Sequence, residues 1–392
     1  MSALATSAEE DLHWLALRLV PGLGARKSVP LVEKLRSPQA VFRCSRSQLE
    51  AAGLSGSVAQ TIASGCTFED AVDQQQRMKE QGVTILPFLD PLFPRRLREL
   101  YDPPLLLFTR GRLELLNTVM LGVVGTRRPT QYGVAATERL ASELAAAGLT
   151  IVSGMARGID TVAHKAALKV GGNTIAVFGC GIDVVYPAEN RALAAEISSK
   201  GLLLSEYPLG APGHPQNFPV RNRIISGVSI GVLISEAAQY SGSAITAQLA
   251  LEQGRDVFAI PGNITSKTSW GTNLLIKQGA KLVQSAEDVL SDLAPEDRRD
   301  IFRQKGLPLE EDAGGHLSTG QAQKNLKDTL GPNTAVGLSI LKVLQIEQPI
   351  HIDELMEKVP DCSSSEVIAV LFELELLALV RQLPGKNFVK VW

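Results

Sequence analysis

The chain has 392 residues, 45% of them hydrophobic and 20% charged, with a formal net charge of −2. So apolar a chain is not disordered, and its length suits two or three domains at ~150 residues each. Near-neutral charge excludes a polyanion-binding protein that works through the field of its whole surface, so any such site must be a local patch. Cys44, Cys66, Cys180 and Cys362 lie far apart without a CxxC pair, which suits unpaired thiols in a reducing compartment. The five histidines, His13, His164, His214, His316 and His351, have no metal-ligand spacing. Glu9, Glu10 and Asp11 stand where a signal peptide would be apolar, and the apolar run Ile224–Ser235 is shorter than the roughly 18 residues of a membrane helix. A soluble, cytoplasmic protein with no membrane partner is expected.

Residues 1–80 read as a helical domain. Helices over Leu12–Ile62 are joined by two glycine turns, Val20-Pro21-Gly22-Leu23-Gly24-Ala25-Arg26-Lys27 and Ala52-Gly53-Leu54-Ser55-Gly56-Ser57. Such a turn resembles a helix-hairpin-helix (SAM-like) element, in which glycine lets the backbone approach a phosphate. A small bundle using glycine for tight corners fits equally. A lead-in follows, with Phe93-Pro94-Arg95-Arg96-Leu97 and Tyr101–Phe108 as apolar anchors expected to pack beside the next domain's sheet.

Residues 81–293 form the second domain, with a βαβ rhythm. Strands are expected at Val119–Gly125, Leu149–Ser153, Thr174–Gly179, Leu202–Ser205, Val228–Ser235, Val257–Pro261 and Lys281–Val283. Helices at Tyr132–Ala147, Ile159–Val170, Ala188–Ser199, Ala244–Gln253 and Thr272–Gln278 separate most of them. Glycine-bounded strands alternating with helices predict an α/β fold, a central extended Rossmann-like doubly wound parallel sheet. The polar stretch 294–333 reads as a linker. Residues 334–392 read as a winged helix: helices at Gly337–Ile346, Ile352–Val359 and Ser363–Leu377, then a strand pair around Pro384-Gly385. The expected recognition helix carries Glu366, Glu373 and Glu375 and no basic residue. It would repel phosphate, which predicts a protein-contact module.

Ligands of open α/β sheets bind beyond the carboxyl ends of the strands. After the first strand come Gly125, Thr126, Arg127 and Arg128, and the two arginines are the only charges between Leu115 and Thr137. After the second come Ser153, Gly154 and Arg157, a small-residue turn with a cation before a helix start. Gly179 and Gly181 follow the third. The fourth leads through a proline-rich loop to Phe218, Arg221, Asn222 and Arg223, with no acidic residue between Glu206 and Glu236. Ser241, Gly242 and Ser243 follow the fifth. Several cationic, glycine-rich loops at one edge predict a phosphate-binding site. Phe218, Tyr207 and, more weakly, Trp270 are candidates for stacking on bases, although Phe218 also suits a core position.

There is no GxxxxGK[ST] run, and Val184 stands where a third glycine would follow Gly179 and Gly181, so no nucleotide cofactor is expected. Asp160 and His164 are placed to meet across one helical turn, as an acid/base dyad or, better, as a structural pair. Glu206 and Glu236 are read as partners for a nearby arginine or turn amide. The sequence offers no convincing nucleophile.

Six stretches together resemble the bacterial DNA-processing protein A (Smf) family. They are Ser153-Gly154-Met155-Ala156-Arg157-Gly158-Ile159-Asp160, Tyr186-Pro187-Ala188-Glu189-Asn190, Phe218–Ser226, Ser241–Ala247, Gly254–Gly262 and Gly271–Ile276. The family often shows serine where this chain has Thr126. The resemblance implies a Rossmann-like domain that binds single-stranded DNA, forms a homodimer and hands the strand to the RecA recombinase in natural transformation, without catalytic turnover. A phosphoribohydrolase acting on nucleoside monophosphates is the alternative. It would want PGGxGTxxE, which Pro261-Gly262-Asn263 only approaches.

Overall fold

A computed structural model of the chain describes residues 8–238, 241–304, 334–345, 348–359, 363–376, 379–383 and 385–390. They fall into two compact units, Met1–Leu293 and Ala294–Trp392.

The first unit opens with six helices: α1 (Ala8–Arg18), α2 (Ala25–Leu35), α3 (Pro38–Phe42), α4 (Arg46–Ala51), α5 (Gly56–Ser64) and α6 (Phe68–Gln81). Their ends follow from local chemistry. The Ser37 hydroxyl accepts from Ala40 N, Ser45 and Gln48 form a capping box, and α5 and α6 stop at left-handed Gly65 and Gly82. Trp14, Leu15 and Leu17 of α1 are buried, and α1 packs on α6.

Next come β1 (Thr84–Pro87), α7 (Arg95–Arg98), β2 (Leu106–Gly111), β3 (Met120–Val124), α8 (Gln131–Ala146), β4 (Thr150–Ser153), α9 (Ile159–Lys169), β5 (Thr174–Phe178), α10 (Arg191–Lys200), β6 (Leu202–Ser205), α11 (Asn217–Val228), β7 (Gly231–Ile234), α12 (Gly242–Glu252), β8 (Asp256–Ala259), α13 (Trp270–Lys277), β9 (Lys281–Leu282) and α14 (Ala286–Leu290). The nine strands make one sheet in the order β1-β2-β6-β5-β4-β3-β7-β8-β9. The seven from β6 to β9 run parallel, while β2 is antiparallel to β6 and β1 to β2. Strands β3 to β7 are buried at every position, as uninterrupted apolar runs covered on both faces must be. The chain marches outward from β3 to β6, returns through α11 and continues from β7 to β9. The winding therefore reverses between β3 and β7, and the crevice of a doubly wound sheet opens there.

Three expectations change. The lead-in extends the sheet as β1 and β2 instead of packing beside it. The stretch from Phe218 to Arg223, expected as loop, is the first half of α11. Pro219 is its third residue, where the missing N–H costs no helical hydrogen bond. The expected linker opens with a helix, α15 (Pro295–Gln304), and its remainder, 305–333, lies outside the described residues.

The second unit continues with helix Thr334–Val343, β10 (Ile350–His351), helices Ile352–Lys358 and Ser364–Leu376, and strands β11 (Val380–Leu383) and β12 (Asn387–Lys390). The strands pair antiparallel in the order β10-β12-β11. Ile340, Leu344, Leu355, Val367, Leu371, Leu374, Val380 and Phe388 form its core. This is the expected three-helix, β-wing arrangement, with Ile346, Glu373's side chain, Leu377, Pro384 and Val391 outside what is described. Among the described residues no helix is long and apolar enough to cross a membrane.

Candidate nucleic-acid interface

The reversal between β3 and β7 brings the loops after β3 and β4 together. Ile159 N donates to Thr126 O at 3.2 Å, and Thr126 N donates to Glu236 O beyond β7 at 2.7 Å. A Cβ on Gly125 would lie 2.6 Å from Ile159 Cγ1, so only glycine permits this approach. Arg127 and Arg128 are exposed at the crest of the loop, and neither has a carboxylate within ion-pair distance among the described residues.

The loop after β4 is held from beneath. Met155 adopts a left-handed φ of 59°, which costs a non-glycine residue energy and needs support. That support comes from Asn190 Nδ2, which donates to Met155 O at 2.8 Å, and from Asp160, whose carboxylate accepts from Gly154 N and Ala156 N at 3.2 Å each. Asp160 and His164 do not meet, since the helix offers Asp160 free turn amides and His164 Nδ1 lies 2.7 Å from Thr174 Oγ1. Ser153 is buried, donating to Val123 O at 2.6 Å.

Helix α11 closes the groove. Arg221 is 3% exposed and its Nη1 donates to Gly154 O and Val177 O, tying the ends of β4 and β5 to the helix. Phe218, one turn earlier, is half-buried. The Tyr186 ring lies 5.4 Å from it at 35°, and the Arg127 guanidinium sits over it at 5.6 Å. A cleft at this point is lined by Arg127, Gly154, Ala156, Arg157, Tyr186, Pro187, Phe218 and Arg221.

Other expected residues are placed differently. Arg223 is not unopposed: it meets Glu206 at 2.6 Å and Asp102 at 3.6 Å, buried away from the cleft. Helical spacing turns it from Arg221 toward the β6 end, so the lack of a nearby acid in the sequence does not carry over into space. Arg157 is exposed but paired with Glu189 at 2.6 Å. Gly179 and Gly181 are buried: a Cβ on Gly179 would press on the Phe218 ring at 2.9 Å, and one on Gly181 would meet Pro208 O at 2.7 Å. They admit neighbours and do not line the cleft. Asn222 Oδ1 accepts from Arg221 Nε at 3.1 Å. Ser241 caps α12 by accepting from Ala244 N, and neither it, Gly242 nor Ser243 lines the cleft. Tyr207 supports the start of α11 through Asn217 O, and Trp270 begins α13. Glu206 and Glu236 take the roles read for them, with an arginine and with Thr130 N at 2.8 Å. Tyr186, Pro187 and Ala156 were absent from the expected site residues. Tyr186 had a signal, an aromatic residue in a strand-end motif.

The helices α1 and α6 secure the far loops. Arg18 donates twice to Glu206 O, Arg77 meets Asp183 at 3.2 Å, and Gln74 exchanges hydrogen bonds with the Leu209 backbone.

Burial sets the protonation of the groups beneath the cleft. It raises the Asp160 carboxyl, opposed by the nearby Arg221 charge, and lowers Arg221 itself. His164 is pushed down to about 3 by burial and then by Arg221, so it is neutral at pH 7. Cys180 is pushed up to about 11 by burial, an inert thiol. Among the described residues no three His, Cys, Asp or Glu side chains could hold a metal ion.

Fold and cleft together define a doubly wound α/β protein with cations and aromatic faces at its strand-end crevice, followed by a winged-helix module. Residues 84–294 match the family model for DNA recombination-mediator protein A, and residues 327–386 match that for the DprA winged helix domain. The chain belongs to this family. It is 38% identical over 319 residues to Protein Smf of Synechocystis sp., covering 76% of this chain and 78% of that one. It is 47% identical over 222 residues to DNA processing protein DprA of Streptococcus pneumoniae, covering 56% and 78%. The crystal structure of DNA processing protein A from Streptococcus pneumoniae superposes with a TM-score of 0.62 at 36% identity, covering 74% of this chain and 99% of that one.

Proposed function

We propose that the protein binds single-stranded DNA in this cleft and acts as a recombination mediator, without catalytic turnover. The observation that carries the reading is the exposed Arg127 guanidinium above the Phe218 ring, with Tyr186 beside it. A cation next to paired aromatic faces suits a strand whose phosphates and bases are both accessible, whereas a duplex hides its base faces. Arg127, Arg128 and Arg157 contact phosphate, while Phe218 and Tyr186 stack on bases. Arg221 forms the floor, and Arg223, Gly179 and Gly181 shape the groove from behind. Ser241 to Ser243 extend the track past β7.

Membership in a recombination-mediator family supports delivery of the strand to the RecA recombinase in natural transformation, and a homodimer through the Rossmann-like domain. The domains on this reading are 1–80, 81–293 and 334–392. The winged-helix unit, with Glu366 exposed on its acidic third helix, contacts protein and not DNA. The test is fluorescence anisotropy with oligo-dT and duplex DNA across a salt series, beside a base-release assay on nucleoside monophosphates. Strand binding that weakens steeply with salt and drops in Arg127→Ala supports the reading. Base release without strand binding overturns it in favour of a phosphoribohydrolase.

A further inference from the structure

A second cavity, of about 420 Å³, lies on the other side of the β3–α8 loop from the cationic cleft. Its chemistry is opposite. The Glu236 carboxylate in its wall is 2% exposed and held by neutral donors: Thr130 N at 2.8 Å, Thr130 Oγ1 at 2.7 Å and Thr268 Oγ1 at 3.3 Å. It has no cationic partner among the described residues. Three donors leave one of the roughly four acceptor positions of a carboxylate open. Tyr132 supplies an aromatic wall, half exposed but fixed by a 2.7 Å hydrogen bond from its hydroxyl to Pro261 O. Ser269 also lines the cavity. It is 3% exposed, and its hydroxyl has no hydrogen-bond partner among the described residues.

We propose that this cavity takes a nucleobase bearing an exocyclic amino group. A buried carboxylate repels phosphate and accepts an N–H donor. The fixed Tyr132 ring offers a stacking face, and the unpartnered Ser269 hydroxyl can serve a ring nitrogen or carbonyl. Thymine and hypoxanthine lack the amino group. Thr130 follows Arg127 by three residues, at most about 11 Å of extended chain. A strand whose phosphates lie on Arg127 and Arg128 can therefore place one base here, and a free nucleoside could occupy the same cavity. The strand version rests on the single-stranded DNA reading, while the nucleoside version does not.

The test compares the full-length protein's affinity for a dT 20-mer with that for the same strand carrying one central dA, dG, dC or deoxyinosine, and titrates adenosine against inosine. The amino-bearing strands should bind about tenfold more tightly than the dT and deoxyinosine strands, the scale of one specific base contact. Glu236→Gln should remove that preference. Because Glu236 also holds Thr130, Tyr132→Ser serves as the second variant: it removes the stacking face while leaving Glu236 and its donors in place, and it should weaken adenosine binding. Adenosine binding that depends on Glu236, with all strands equal, assigns the cavity to free nucleosides. Equal affinity for all strands together with no difference between adenosine and inosine overturns the proposal. If no strand binds at all, the single-stranded DNA reading fails, and the nucleoside titration still decides the cavity.

Discussion

The guanidinium of Arg221 lies where a side chain at position 154 would project, since a Cβ on Gly154 would overlap its Nη1, Nη2 and Cζ atoms. The absence of a side chain at one strand end thus makes room for the cation that ties two strand ends to α11. Gly154→Ala is expected to displace Arg221 and cost roughly 1–3 kcal/mol by overpacking. Denaturant titration would show it as a lower midpoint at unchanged slope, with strand affinity falling in parallel.

Arg127 and Arg221 should separate binding from stability. Arg127→Ala removes an exposed cation, so the melting temperature should hold while strand affinity drops and the log–log salt slope shrinks by about 0.7. Arg221→Leu leaves Asp160 without its buried counter-charge and two carbonyls without their donor, a loss of roughly 3–5 kcal/mol. Calorimetry and anisotropy on both variants would check this contrast. An Arg221→Leu protein as stable as the parent would contradict it.

Stability should fall on acidification through His164. Its folded value of about 3 lies below the ordinary 6.5, so the unfolded chain takes the proton first as the pH drops. The contribution is complete above pH 6.5 and is lost at up to ~1.4 kcal/mol per unit as the pH falls toward 3. Asp160, raised by burial, has the opposite sign. Urea midpoints between pH 7 and 5 for the parent and for His164→Gln isolate the histidine, and the variant should show the shallower decline.

Glu206→Gln should weaken the buried contact with Arg223 by roughly 1–3 kcal/mol, as expected for a hydrogen bond to a charged group. Because both side chains are about nine-tenths buried, the loss should change little between low and high salt. Thermal melts at two ionic strengths are the check.

Phe218→Ala should cost about 1–3 kcal/mol of strand affinity if one base stacks there. Anisotropy with oligo-dT measures it. Affinity equal to the parent's would remove Phe218 from the site.

The sheet was legible because its buried strands are apolar runs ended by glycine, and the β3 and β4 loops because tight turns demand small residues. What charge counting along the chain could not show was proximity in three dimensions. Arg223 has no acidic neighbour for many residues in sequence, yet it meets Glu206 and Asp102 across the fold. β1 and β2 escape the sequence reading because they add to one end of the sheet as antiparallel strands outside the βαβ rhythm. The start of α11 looks like loop in the sequence because Pro215 and Pro219 suggest irregular backbone, although Pro219 falls in a first turn that tolerates it. Glu236 is legible as a partner for a turn amide, but its cavity is assembled from residues far apart in the chain.

Arg18, Gln74 and Arg77 hold the loops after β5 and β6 from the N-terminal helices, whereas the family model begins only at residue 84. A minimal fragment cut at that boundary would keep every groove residue and lose the outer bracing of two loops beside them. A core engineered for biochemistry would then need substitute anchors at Asp183, Glu206 and Leu209 to keep α11 seated.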